Sequence, residues 1–586
     1  MRKHLLLTLI IPTLALSACS FFFNEPQYET YVQELQVYDI DHLNENKELN
    51  EPTFRINARF IQDQKYIPFI TLKQYAYLYL SHFDNDITYE IKDDTWTIYK
   101  NKQACFIAAI DHFYKEVGIA GSIQNAYKDG DDPRDLTVLR YGAKNDYKIN
   151  DLGIFTGVYS FAKYNIPRFK FEGDYYYPLS FLDTTFSDSS SIYFTYNYKY
   201  ILSTRDVENY SAFTYKDGEN EYTFDSQMEE MCKEDNAVIP SYLSKYNANL
   251  FLYMMDNFYG LKEMKGINSF SSYYKKQYGI YDALYSSDNE KRGFGYSDAL
   301  AVLDDNHSLF ISANKSWGED PCGRYRRYGE GCYNRNQTRT QLNQYRTATY
   351  GEAAPQKDVL ISQDGKTALF SFDSFKFGTS EEVFNEDKSI KDTAKEHDTF
   401  FLLIDTFNYL KNNTSVENVI LDISLNGGGV LGVMLKLLAL ISKDNSSAIT
   451  LQTETKQIFT YNPHCDINSD NKYDANDCFG DDFNIYLLTS DCSFSCGNAL
   501  PCAAQLHNDA KIIGQKSGGG ECVVSVHYMP NSEYVYHSSM THIGIYSEEE
   551  KAFKGFESGA TPDIEIAIDE NFYNIESLNT IIQNAQ

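Results

Sequence analysis

Two stretches constrain the architecture more than any others. "NVILDISLNGGGV" (418–430) and "FNIYLLTSDCSFSCGNAL" (483–500) each begin as an apolar run and end in a polar turn that opens a helix. An apolar run without polar alternation suits a strand covered on both faces, as in a parallel sheet with helices above and below. The neighbouring segments follow the same grammar. "VLISQDGKTALFSFDSF" reads as a hairpin, "FFLLIDTFNYLKN" and "VLGVMLKLLALIS" as helices, and "AKIIGQ" as another strand. Together these are βα units of an α/β fold with a mostly parallel sheet.

The ends of the two strands carry the chemistry. Gly427, Gly428 and Gly429 follow the first strand, allow close backbone approach and leave N–H groups free at a helix start. Phosphate binding is one use of such a run, but neither a Walker lysine nor a G-x-G-x-x-G spacing is present. An oxyanion hole is the other use. The second strand runs into a turn with Ser495, followed by a helix whose first N–H groups lie beside that side chain. Ser493 is the nearest competitor. The backbone N–H of Cys496, with that of Gly427 or Gly428, supplies the two donors that acyl transfer requires. His307, in "LDDNHS", is the candidate base, and Glu557, in "FESGATPDIEI", the carboxylate that orients it, with Asp563 close by.

"LAVLDDNHS", "VILDISLNGGG", "SDCSFSCGNAL", "KIIGQKSGGG" and "FESGATPDIEI" occur in the order seen in the tail-specific (C-terminal processing) protease family, which residues 240–575 resemble. The resemblance implies a βα core of the ClpP/crotonase kind with a helical segment, and serine peptide-bond hydrolysis without a catalytic cofactor. One branch of the family uses a Ser–Lys dyad, and Gly520 stands where its lysine would be. Lys516 is the nearest displaced alternative. The other branch, like the tricorn protease core and the secreted chlamydial protease, uses Ser, His and Glu. That pattern maps onto Ser495, His307 and Glu557, although Asn306 replaces the serine that precedes the tricorn histidine. No clear PDZ module lies between His307 and Val359. Residues 316–350 read as a polar, locally basic loop segment.

The N-terminus bears on location. "MRKH", the apolar "LLLTLIIPTLAL" and "LSAC" resemble a bacterial lipoprotein signal, cut after residue 18 so that the thiol of Cys19 carries lipid. The expectation is an extracytoplasmic chain anchored to a bacterial membrane, with residues 19–55 as a tether. Setting Cys19 aside, ten cysteines remain, an even number that suggests disulfides in an exported protein. Cys322 with Cys332 and Cys465 with Cys478 are plausible local pairs. Cys492, Cys496, Cys502 and Cys522 pair in several ways, and their spacing matches no standard zinc pattern. The net charge of −30 argues against nucleic acid as a partner. A protein or peptide substrate is expected, and oligomeric state is left open.

Residues 56–235 read as a β-rich α+β domain. "KYIPFITLKQYAYLYL" with "DITYEIKDDTWTIYKN" is weakly repeated by "GDYYYPLSFLDTTF" with "SIYFTYNYKYILST". The order resembles small β-rich modules akin to the N-terminal domain of copper amine oxidases. Finally, "CDINSDNKYDANDC", within an insertion at 463–482, places Asp466, Asn468, Asp470, Asp474 and Asp477 at positions 1, 3, 5, 9 and 12, with the Lys472 carbonyl at 7. That is the oxygen spacing of an EF-hand loop, and a structural calcium ion is expected. The competing view of the whole chain is a degenerate peptide-binding surface lipoprotein.

Overall fold

The computed structural model describes residues 28–585 apart from 41–47, 81–86, 117–142, 151–155, 188–192, 205–213, 224–237, 313–328, 353–358 and gaps of one to three residues elsewhere. The signal segment, Cys19 and Cys322 lie outside the described residues. Among the described residues no helix is long and apolar enough to cross a membrane.

The chain is mixed α/β. Its central sheet has the strand order Leu360–Ile361, Thr367–Ser371, Asn418–Asp422, Asn484–Thr489, Lys511–Gly514, Ile564–Glu565. The first pair is antiparallel and the other four are parallel. The strand Asn418–Asp422 is buried at every position, as its apolar run demands. Val419 and Leu421 face a core formed with the helices Thr399–Asn413, Leu431–Ile441 and Cys496–His507. Ile420 faces the opposite core with Leu342, Leu578 and Ile582, from the helices Glu330–Tyr350 and Ile575–Ala585.

The N-terminal part differs from expectation in three ways. Thr30–Asp39, read as tether, is a ten-residue strand inside a seven-stranded sheet, pairing with Phe54–Ile61 and Ile201–Thr204. Leu35 and Val37 are buried two residues apart, a period-two signal masked by the glutamines and glutamate around them. The apolar core also runs on across 235–240. One cluster joins that sheet to the helix Ser241–Phe258 and to Cys522, Met529 and Val535. Lastly, Ala143–Asn150 pairs antiparallel with Ile458–Cys465, so the N-terminal region lends a strand to a sheet of the C-terminal part. The weak repeat appears as two strand–helix units, Phe69–Thr71 into Leu72–Leu80 and Asp174–Pro178 into Leu179–Ser187, whose strands pair antiparallel.

The segment read as a polar loop is, from Glu330 to Tyr350, a 21-residue helix, called here the clamp helix. Its far end is fixed by Arg346, fully buried, which donates to Asp422 at 3.0 Å and to both oxygens of Asp373 at 2.8 and 3.0 Å. Asp422, at the end of its strand, is also fully buried. Removing one partner of a buried pair strands the other charge, at about 3–5 kcal/mol. Arg346→Met is therefore expected to lower the unfolding free energy by about that amount, read by urea denaturation. A loss below about 1 kcal/mol, the range of exposed pairs, would rule the pair out as a structural anchor.

Candidate active site

The strands Asn418–Asp422 and Asn484–Thr489 run parallel, with Asp422 opposite Leu488. Their loops therefore leave the same sheet edge side by side. Ser490, Ser493 and Asn426 stitch the loops together. Ser493 Oγ donates to Ile423 O at 2.8 Å and accepts from Ser490 N at 3.1 Å, and Ser490 Oγ donates to Ser424 O. Phe494 N donates to Asn426 O at 3.0 Å. Ser493, fully buried and bonded in both roles, is a structural serine.

Ser495 is different. It is half-buried, and its Oγ hydrogen-bonds to no described residue. It sits at the N-terminus of the helix Cys496–His507 with φ 58° and ψ −125°. Positive φ in a residue other than glycine costs on the order of 1–3 kcal/mol and persists only where surrounding structure enforces it. Here the Ser495 N–H is held by Gly519 O at 3.0 Å, and the Ser495 carbonyl accepts from Asn498 and Ala499. The result is a sharp strand–turn–helix elbow presenting a hydroxyl at a helix N-terminus. The neighbouring cysteines do not compete as nucleophiles. Burial pushes the thiols of Cys492 and Cys496 up to about 12.

The Cys496 N–H has no hydrogen-bond partner among the described residues. Gly428 faces it: a Cβ on Gly428 would lie 3.1 Å from Ser495 Oγ and 3.2 Å from Cys496 N, so its φ of 111° and missing side chain keep that space open. Its N–H, however, is donated to Asn426 Oδ1 at 2.9 Å. Of the two glycines named from sequence, Gly428 therefore shapes the pocket and does not donate into it, while Gly427 is exposed.

His307 lies between the helix Asn289–Ala301 and the strand Leu309–Ser312, as expected. Asp305 holds this turn, accepting from His307 N at 3.0 Å and from Ser308 Oγ at 2.7 Å. The His307 ring packs on Phe494, with centroids 4.7 Å apart. Its Nδ1 is buried without a partner. Burial lowers its pKa, Asp305 opposes that shift, and Arg335 adds to it. Glu557 is anchored by its backbone and side chain together. Its Oε2 accepts from Gly520 N at 3.0 Å and Glu521 N at 2.9 Å, and its own N–H donates to Glu521 Oε2 at 2.8 Å. Burial raises its pKa; Asp305 and Glu521 add to that, against the two N–H donors. The three residues thus gather around Phe494 and the 519–521 turn. No hydrogen bond joins Ser495 to His307, or His307 to Glu557.

Gly520 has a physical reason to be glycine. With φ 83°, a Cβ there would lie 2.5 Å from Phe494 Cζ. The phenyl ring occupies the space that a side chain at 520 would enter. Lys516 is exposed, and its charge is felt by the buried Cys502 thiol within the helix that follows Ser495.

The sequence reading missed Arg335. It donates to Asp491 O at 2.8 Å and Gly518 O at 2.9 Å, and its guanidinium lies 4.7 Å over the Phe494 ring. Asp304 fixes the start of the same helix by accepting from Gly331 N and Cys332 N, both at 2.8 Å. Thr338 Oγ1 adds a bond to Asp491 Oδ2 at 3.2 Å. The clamp helix thus ties the histidine turn to the serine elbow. The cysteines do not brace the elbow as disulfides. The seven whose side chains are described are all free and buried, and Cys465 donates to Lys436 O instead of bonding Cys478.

In the acidic loop the oxygens turn to their own backbone. Asp477 accepts from Ile467 N and Asp474 N, Asp466 and Asn468 accept from Asp470 N, and Lys472 Nζ pairs with Asp470. Its all-oxygen donor set suits calcium. In this conformation, though, no three of its carboxylates bring ligand atoms within 4.8 Å of one another.

Residues 390–566 match peptidase family S41. Solved structures with partial likeness include a lipoprotein from Streptococcus agalactiae, 11% identical, covering 59% of this chain and 98% of its own, with a TM-score of 0.34. The photosystem II D1 C-terminal processing protease is 13% identical, covering 36% of this chain and 45% of its own, with a TM-score of 0.24. The tricorn protease is 14% identical, covering 48% and 22%, with a TM-score of 0.23. Overlaps this low carry no residue roles across. No curated protein is similar enough to match.

Proposed function

We propose that this chain, whose residues 390–566 match peptidase family S41, is a serine-type peptidase in which Ser495, His307 and Glu557 hydrolyse peptide bonds in protein or peptide substrates. The observation that carries this reading is the elbow: Ser495, held at φ 58° on a helix N-terminus, has a hydroxyl unbonded to any described residue and an open space before the Cys496 N–H. His307 takes the Ser495 proton as Oγ attacks the substrate carbonyl. The oxyanion is received by the N–H groups of Cys496 and Gly427. Collapse breaks the C–N bond, and His307 returns the proton to the leaving amine. Water, activated by the same imidazole, then cleaves the acyl-enzyme and restores Ser495. Glu557 orients the imidazole and stabilises its charged form. Since the catalytic hydrogen bonds are open without substrate, their closure belongs to the substrate complex.

The lipoprotein-like N-terminus supports placing this peptidase outside the cytoplasm, held by lipid on Cys19. Calcium is a further element of the proposal. Binding would draw Asp466, Asn468, Asp470, the Lys472 carbonyl, Asp474 and Asp477 off their local N–H partners and order the loop, with no part in the chemistry.

Three outcomes test the reading. A fluorophosphonate probe should label the wild-type protein and leave Ser495→Ala unlabelled and inactive, with an unchanged melting curve. An unlabelled wild type would instead mark a peptide-binding relic. Hydrolysis should fall on acidification as His307 gains its proton. Burial and Arg335 lower that pKa, so the acid limb lies below the value of about 6.5 for a free imidazole. Arg335→Gln removes one cause and should move the limb to higher pH; a wild-type limb above 6.5, or one that the variant leaves in place, counts against His307. Calcium should raise the melting temperature of chelator-treated protein, and Asp466→Ala should abolish that rise. An equal response in the variant would remove the loop from consideration.

A further inference from the structure

Behind Glu557 lies a second group of side chains that the hydrolytic scheme does not use. Cys522 and His542 are directly opposed on the antiparallel strands Cys522–Met529 and Glu533–Ser547. Cys522 Sγ lies 3.6 Å from His542 Nδ1, which in turn lies 2.7 Å from Glu521 Oε1. These three donor atoms lie within 4.8 Å of one another, the one such group of His, Cys, Asp or Glu among the described residues. Glu521 and Cys522 are 4% and 1% exposed, and His542 is half-buried.

Local backbone features make this convergence possible. Glu521 lies just before the strand, outside its alternation, so its side chain is not held to the face opposite Cys522. Space is also kept for the carboxylate: a Cβ on Gly555 would lie 1.9 Å from Glu521 Oε2. Another on Gly260 would come within 3.0 Å of Cys522 Sγ.

We propose that Glu521, Cys522 and His542 form a three-donor site for one divalent cation of the zinc class. A thiolate, an imidazole nitrogen and a carboxylate oxygen are the donors that zinc takes, and three protein ligands leave a fourth tetrahedral position open. Zinc bond lengths of about 2.0–2.3 Å put tetrahedral donors roughly 3.3–3.6 Å apart. The Sγ–Nδ1 separation already satisfies this. The Nδ1–Oε1 contact is a hydrogen bond and opens by roughly 0.6 Å to admit the ion. The cation takes the place of the Cys522 thiol proton and of the proton on His542 Nδ1. The surrounding charge favours it. Asp305, Glu521 and Glu557 are three carboxylates that place negative charge about the same buried thiol. Glu521 spans the two sites. One of its oxygens faces His542, and the other holds the Glu557 N–H. Loading therefore fixes the segment that carries Glu557.

The test uses the full chain, reduced and freed of metal by chelator, titrated with Co²⁺. One equivalent should give tetrahedral visible bands and a thiolate-to-cobalt charge-transfer band, both displaced by Zn²⁺. Cys522→Ser should lose the charge-transfer band while Cys502→Ser keeps it, and His542→Gln should weaken binding at least about tenfold. Zinc-edge X-ray absorption of the wild-type protein loaded with one equivalent gives the answer without a variant: one sulfur in the first shell is expected. A shell without sulfur, no stoichiometric binding, or an unchanged cobalt spectrum in a folded Cys522→Ser protein overturns the proposal.

Discussion

The pair between Arg346 and Asp422 holds more than two side chains. Asp422 closes a fully buried strand, where an unpaired carboxylate is costly. Arg346 meets that demand from the clamp helix. The second oxygen of Asp422 accepts from both the N–H and the hydroxyl of Ser424, and the Ser424 carbonyl accepts from Ser490. One buried ion pair thereby fixes the start of the glycine loop, and that loop fixes the start of the serine elbow. Strain at Ser495 is tolerable because the segments on both sides are already held.

The clamp helix extends this control across the site. Its N-terminal turn is fastened to Asp304, three residues before His307. Arg335, one turn on, grips the carbonyls of Asp491 and Gly518 and covers Phe494. His307 and Ser495 lie far apart in the sequence, and a single helix spaces the turns that carry them. Phe494 is the shared spacer, touching the His307 ring, the Arg335 guanidinium and the face of Gly520. The same ring explains why a lysine at 520 is incompatible with this site.

The core was legible because its signals are local and apolar. The strands around 418–422 and 484–489, the helices that follow them and the half-exposed Ser495 are all written in short runs of hydrophobicity, glycine and turn residues. The clamp helix was not legible, because its inward face carries arginine. Only Cys332, Leu342 and Arg346 are buried along it, so apolar periodicity is nearly absent. The roles of Arg335 and Arg346 depend on carbonyls and carboxylates far along the chain, which no window of sequence contains. The strand Thr30–Asp39 was missed for a related reason, since Tyr31, Val32, Gln33 and Glu34 are all exposed and show no alternation. The cysteine count pointed to disulfides, yet burial among apolar side chains places these thiols as ordinary core residues.

The electrostatics around His307 place it between opposing influences. Asp305 favours the imidazolium, while Arg335 and burial favour the neutral ring. A general base needs the neutral form at rest and a stabilised cation at the transition state. Arg335 serves the first requirement, and its position over Phe494 keeps it from hydrogen-bonding the ring and fixing it in one orientation. Asp305 serves the second, since its negative charge beside the buried ring favours a proton arriving on the imidazole. Asp305 and Glu521 in turn raise the proton affinity of Glu557, so its neighbourhood becomes more favourable once a positive charge enters it. In the proposed reaction, proton transfer from Ser495 to His307 would bring that charge, and a cation on Cys522 and His542 would bring it at rest. The two sites therefore draw on the same carboxylates, and the state of one bears on the charge available to the other.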